Sequence, residues 1–122
     1  MFVNISNHPS KVWGKSQFSA AQRWGDVVDY DFPIVSPSLN EIELSALADK
    51  VISEVVDLTA HHCEGTVLHI MGEMTLTYVL VHRFQRMGYF CVASTTARTS
   101  EIHDDGTKIS KFEFVQFREY FN

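Results

Sequence analysis

The chain has few cysteines, few positive charges and no long apolar run, and each scarcity narrows what it can be. Its two cysteines, Cys63 and Cys91, fit neither a CxxC pair nor zinc-ligand spacing, so both read as reduced structural residues of a reducing compartment. No apolar stretch approaches the ~20 residues of a membrane span. The opening Met1-Phe2-Val3-Asn4-Ile5 lacks the basic start and cleavage site of a signal peptide, so the expected location is the cytoplasm, with no membrane partner. Lys and Arg total 10 against 15 Asp and Glu, a net charge of −5, which argues against a broad basic face for long nucleic acid. A small phosphate ligand stays open, because one helix terminus and two or three local cations suffice to hold it. The Gly-Lys-Ser/Thr of a Walker loop, the GxGxxG fingerprint and the Gly-x-Ser-x-Gly elbow are all missing. An ordinary kinase, ATPase, dehydrogenase or triad hydrolase is therefore disfavoured.

What is present is a packed α/β chain. Its 122 residues are 45% apolar and 12% aromatic, enough for one domain, 1–122, that buries roughly two thirds of its unfolded surface. Phe2-Val3-Asn4-Ile5-Ser6 reads as a first strand that breaks at His8-Pro9. Ser16 caps a helix reaching Arg23 or Trp24, with Phe18 and Ala21 inward and Gly25 as its stop, and Asp26 to Phe32 forms a second strand. Ser38-x-x-Glu41 and Asn40-x-x-Glu43 both offer capping-box spacing for a long helix. Its Leu44, Leu47, Ala48, Val51, Ile52 and Val55 step by three and four along one face. Thr66 to Met71 is a third strand, followed by a helix with Leu76, Val79, Leu80, Phe84 and Met87 on one face, and Tyr89 to Ser94 is a fourth strand. Alternating strands and helices imply parallel crossovers. The expected class is a Rossmann-like, three-layer α/β fold with a mainly parallel sheet, and Arg98 to His103 and Thr107 to Phe117 flank the turn Asp104-Asp105-Gly106 as a C-terminal β-hairpin. Phe112, Phe114, Val115 and Phe117 put apolar groups on both faces of the last strand, so one face should meet a helix or a second subunit, and a homodimer is expected.

Three polar strand ends are candidates for the ligand crevice that such sheets form at their carboxyl edge. After the third strand, Gly72 gives a ligand room near the backbone, and Thr75 and Thr77 offer hydroxyls at a helix start, where free N–H groups and the helix dipole attract anions. The bland alternative is that Gly72 turns the chain and Thr75 caps the helix. Glu73 is awkward beside phosphate; it either orients a ribose hydroxyl as a chemical residue or simply favours the dipole. After the fourth strand come Ser94, Thr95, Thr96 and Arg98, whose guanidinium fork suits phosphate unless it pairs with Glu101 or Asp104. After the first come Asn7, His8 and Ser10, with His8 available as acid or base near neutral pH unless it is a plain loop histidine. His61-His62-Cys63 is not read as a metal site, because adjacent residues at a helix end point apart; no metal or cofactor is expected.

Asn-His-Pro-Ser after strand one, Met-Gly-Glu-Met-Thr-Leu-Thr opening a helix, Ala-Ser-Thr-Thr-Ala-Arg after strand four and Phe-Val-Gln-Phe-Arg-Glu-Tyr near the end give a chain that resembles the small Rossmann-like proteins of CRISPR-associated systems, related to CARF domains and ring nucleases. The resemblance implies a homodimer that binds a cyclic oligoadenylate second messenger. In ring nucleases the messenger is cleaved without metal, by attack of a ribose 2′-OH on the adjacent phosphate. Carried onto this chain, Gly72, Glu73, Thr75 and Thr77 form one ligand loop and Ser94, Thr95, Thr96 and Arg98 another, with Glu73 and His8 the candidate catalytic residues. The loops depart from such sites in their scarcity of lysine. The alternatives are a noncatalytic nucleotide-sensing or partner-docking module and an enzyme acting on another phosphorylated metabolite.

Overall fold

A computed structural model describes residues 1–61 and 65–122. The order along the chain is β1 (Phe2–Ser6), a 3-10 turn (Ser10–Val12), α1 (Lys15–Gln22), β2 (Val27–Asp31), α2 (Glu41–Thr59), β3 (Val67–Met71), α3 (Met74–Arg86), β4 (Phe90–Ile102) and β5 (Lys108–Glu119). His62 and Cys63 lie outside the described residues, whereas Cys91 is a buried free thiol, pushed up to about 12 by burial and by the nearby Glu119 carboxylate.

The five strands form one sheet in the order β2-β1-β3-β4-β5, parallel except for the antiparallel β4–β5 pair. This is the expected Rossmann-like layout with its C-terminal hairpin. From β1 the chain steps outward to β2 through α1, then returns past β1 to β3 through α2. The strand order therefore reverses between β1 and β3, and the connections on either side leave a crevice outside their carboxyl ends.

Helices cover both faces of the sheet. On one side α2 and α3 bury Ala48, Val51, Val55, Leu76, Leu80 and Phe84 against Val3, Ile5, Leu68 and Ile70. On the other, Ala21 of α1 and the half-buried Trp13, Trp24 and Phe117 pack on Phe2, Val67 and Val92. The two faces of β1 and β3 alternate accordingly. Both central strands are buried nearly end to end, yet the face toward α1 carries Asn4, Ser6 and His69.

Of the two capping boxes offered ahead of α2, Asn40–Glu43 forms, its amide accepting from the Glu43 N–H at 2.9 Å. Ser38 instead pairs with Ser36. Helix α1 starts earlier than its serine suggests, with Gly14 in the N-cap position.

The larger correction is at β4. The strand runs on through Ser94, Thr95, Thr96 and Arg98 to Ile102, paired throughout with β5, so these residues are not a strand-end loop. A bulge shifts the register between Thr95 and Thr96. The turn is where expected, with Gly106 at φ 86° and its N–H donating to the His103 carbonyl. Phe117 turns inward onto Phe2 at 5.0 Å between ring centroids, and Phe114 lies 4.8 Å from Phe117. Phe117 thus packs within the chain, in the layer that holds Ala21 of α1, and Phe114 rests on Phe117, while Phe112 and Val115 stay exposed.

Candidate functional site

Asp29, Asn4 and His69 occupy one row across β2, β1 and β3, because Asn4 is in register with both of its neighbours. The Asn4 amide nitrogen donates to Asp29 Oδ1 at 2.9 Å and to the His8 carbonyl at 2.8 Å. Both of its protons are therefore used, and Oδ1 is left to accept, from the Ser6 hydroxyl at 2.8 Å and from His69 Nδ1 at 2.8 Å. An acceptor at Nδ1 fixes the tautomer: Nδ1 carries the proton, and Nε2 accepts from the Ser94 hydroxyl at 3.1 Å. Ser94 Oγ also lies 3.0 Å from Met71 Sδ, but a thioether is a weak acceptor beside an imidazole nitrogen.

The His69 ring is 2% exposed, stacked on Phe2 and edge-on to Trp13 and Phe117. Burial, seconded by the charge of His8, pushes its pKa down to about 4, so the ring is neutral at physiological pH. Burial raises the Asp29 carboxyl, but hydrogen bonds from Asn4 and Ser10 and the charge of Lys11 together hold it below the usual range.

The row opens into a cleft of about 780 Å³ outside the carboxyl ends of β1 and β3, lined among others by Asn7, His8, Trp13, Gln17, His69 and Ser94. The loop after β1 is tied back to the strand, since the His8 carbonyl accepts from Asn4 and from Trp13 Nε1 at 3.1 Å, and the His8 N–H donates to Ser6 Oγ at 3.2 Å. Gly14 and Ser16, at the start of α1, line the same cleft. Helix α1 has no side-chain cap and no acidic residue in its first turn, so its free N–H groups and positive dipole end are uncompensated. Phe112 and Phe114 of β5 and Thr96 of β4 complete the far wall, with Glu113 the acidic member.

Of the residues expected from sequence, Asn7, His8, Gly72, Ser94 and Thr96 line this cleft. The rest are engaged elsewhere. Glu73 is the N-cap of α3, accepting from the N–H groups of Thr75 at 3.1 Å and Leu76 at 2.8 Å, and the Thr75 hydroxyl donates to the same carboxylate. Those bonds hold the Glu73 carboxyl below its usual range. Thr77 accepts from the Gly72 N–H at 3.1 Å. A carboxylate thus already occupies the start of α3, where the sequence suggests an external anion. Gly72 serves packing: a Cβ there would lie 2.5 Å from the Phe32 ring. Ser10 is bound to Asp29 through its N–H at 3.0 Å and its hydroxyl at 2.9 Å. The Thr95 hydroxyl donates to the Gln116 carbonyl, and Arg98 sits out along the hairpin, donating to Ser110 with its guanidinium over Phe112.

Sequence reasoning missed Asn4, Asp29, His69, Trp13 and the start of α1. One signal was available: Asn4 and His69 interrupt otherwise apolar central strands, and a buried polar side chain must find a partner.

A family model described as "Uncharacterized protein MJ1673 family" matches residues 1–118, and the chain belongs to that family. No curated protein and no solved structure matches it. No helix among the described residues is long and apolar enough to cross a membrane.

Proposed function

We propose that the cleft at the β1/β3 switch point binds a small nucleotide, and that its ligand is a cyclic oligoadenylate of the kind used as a second messenger by cytoplasmic CRISPR-associated systems. One observation carries the reading: the uncapped start of α1 opens into a cleft also walled by Trp13, Phe112 and Phe114. A helix start holds phosphate through backbone N–H groups without a basic surface, and aromatic rings take the bases by stacking. Lys11 and Lys15 are next to lining residues in sequence, though neither lines the cleft itself, so the backbone N–H groups carry the contact with phosphate. Asn7, Thr96 and His8 line the same cleft and bring polar groups that suit ribose and base edges.

A second reading, partner docking or pairing of two copies, draws on the exposed hairpin, where Ile102 is 79% and Phe112 66% exposed. The homodimer expected from sequence belongs to this surface.

The test is a melting-temperature screen of the whole protein against a size series of cyclic oligoadenylates, linear oligoadenylates, AMP, ATP and inorganic phosphate. A ligand at 100 times its dissociation constant stabilises the folded state by about 2.7 kcal/mol. A shift confined to the cyclic series supports the messenger reading, and cleavage in EDTA with 2′,3′-cyclic phosphate ends would add ring-nuclease activity. No shift with any nucleotide refutes the reading and leaves the docking module.

A further inference from the structure

The chain lacks a nucleophile elbow, yet the fold assembles what that elbow serves. Ser94, His69 and Asn4 come from three different strands and form a continuous relay, hydroxyl to Nε2 at 3.1 Å and Nδ1 to amide oxygen at 2.8 Å. We infer that Ser94 is a nucleophile, His69 its general base and Asn4 the group that orients the base, and that the site performs acyl transfer on a small carboxylic ester. The inference does not rest on the nucleotide reading.

Three features carry it. The orienting amide is itself locked, with both protons committed to Asp29 and the His8 carbonyl, so it presents only its oxygen to His69. The imidazole is held by aromatic rings on three sides and, being neutral, has a free lone pair at Nε2. Ser94 and His69 both line the cleft, so the hydroxyl is reachable while the base behind it stays dry. Nucleophile, base and orienter within hydrogen-bond reach are the signature of an activated serine, whatever the fold or chain order.

The chemistry follows from the positions. As Ser94 Oγ bonds to the ester carbonyl carbon, its proton passes to His69 Nε2, and the carbonyl pair moves onto oxygen. Collapse of that intermediate expels the alcohol, which leaves with the proton from Nε2. Water then repeats the cycle on the acyl-serine, giving the carboxylic acid and restoring Ser94. At a carbonyl carbon the leaving oxygen stays within reach of the base that activated the attack. In an in-line displacement at phosphorus it departs on the far side, away from His69. Among the described residues that line the cleft there is no lysine or arginine to neutralise the charge of a phosphoryl transition state. A single oxyanion needs only N–H donors, and the start of α1 and Asn7 line the same cleft as Ser94.

The experiment treats the whole protein with a fluorophosphonate, which phosphonylates activated serines with loss of fluoride, and follows intact mass and the labelled peptide, alongside hydrolysis of p-nitrophenyl acetate. Expected are one adduct per chain, on Ser94, in the native protein, no adduct after unfolding in concentrated urea, and none in Ser94→Ala. Ester hydrolysis in Ser94→Ala should fall to the buffer rate, and His69→Gln should slow labelling by ~100-fold or more. If His69→Gln does not fold, the comparison of native with urea-unfolded wild type still decides the matter. An unlabelled native protein, equal labelling of native and unfolded chains, or an adduct that persists in Ser94→Ala overturns the inference.

Discussion

Replacing Gly14 with aspartate should stabilise the free protein and weaken its hold on an anion, two effects of opposite sign from one carboxylate. Gly14 is the N-cap of α1 at φ −69° and ψ 164°, an extended conformation open to any residue, and a Cβ there meets nothing within 4 Å. Aspartate at this position accepts from the N–H groups of the first turn, a few tenths of a kcal/mol better than glycine, and its charge on the dipole adds about 0.3–1 kcal/mol. The loss of glycine's freedom in the unfolded chain adds a similar increment. The sum is about 1–2.5 kcal/mol, or a rise of roughly 3–10 °C in melting temperature. The same carboxylate takes the donors that a bound phosphate would use and repels it. Affinity for a cyclic oligoadenylate, by titration calorimetry, should then fall by about 2–3 kcal/mol, roughly 30- to 150-fold. Gly14→Ala, with a Cβ but no acceptor, is the control and should bind like wild type. If Gly14→Asp binds undiminished while melting higher, the α1 start is not the anion site and the nucleotide reading loses its main support.

Two further outcomes concern the α3 cap and the buried histidine. Glu73→Ala should lower the melting temperature by roughly 3–5 °C, since losing an N-cap costs about 1 kcal/mol. Ligand affinity should stay unchanged, whereas a catalytic Glu73 would lose turnover at constant stability. Stability to urea should fall between pH 6.5 and pH 4, because His69 takes a proton near 6.5 when unfolded but only near 4 when folded. The unfolded state binds the extra proton, so the effect is absent above pH 6.5 and reaches about 3 kcal/mol at pH 4. A flat urea midpoint across that window would show that His69 is not buried as a neutral base.

The layering of the fold was legible because its signals are local. The three-four spacing in α2 and α3 and the Asn40–Glu43 box each specify structure within a few residues, and alternation of strand and helix then forces a parallel sheet. Where local reading failed, the cause was also physical. The hairpin arm from Arg98 was recognised, but its continuity with the fourth strand was not, because Ser94, Thr95 and Thr96 carry hydroxyls where β4 passes from buried to exposed and lack the apolar alternation by which strands are recognised. At α3 the Gly-Glu-x-Thr pattern does mark a helix start with an affinity for anions, but the anion is Glu73 itself.

The site was illegible for a different reason. Asn4, Asp29 and His69 are separated by as many as 65 positions, and what makes them neighbours is the register of β1 against β2 and β3, a long-range property. A shift of one residue in either pairing would turn the partner's polar side chain to the opposite face. Asn4 would then be buried without the groups that satisfy it, at a cost of about 1–3 kcal/mol for each orphaned atom. The polar row and the register therefore specify each other. The apolar residues on the opposite face would accept several alignments of similar hydrophobicity, whereas Asn4 accepts only the one in which Asp29 and His69 stand on either side of it. A residue that interrupts an apolar strand is thus informative before its role is known, since it requires partners on the neighbouring strands. Here those partners end at a hydroxyl in the cleft.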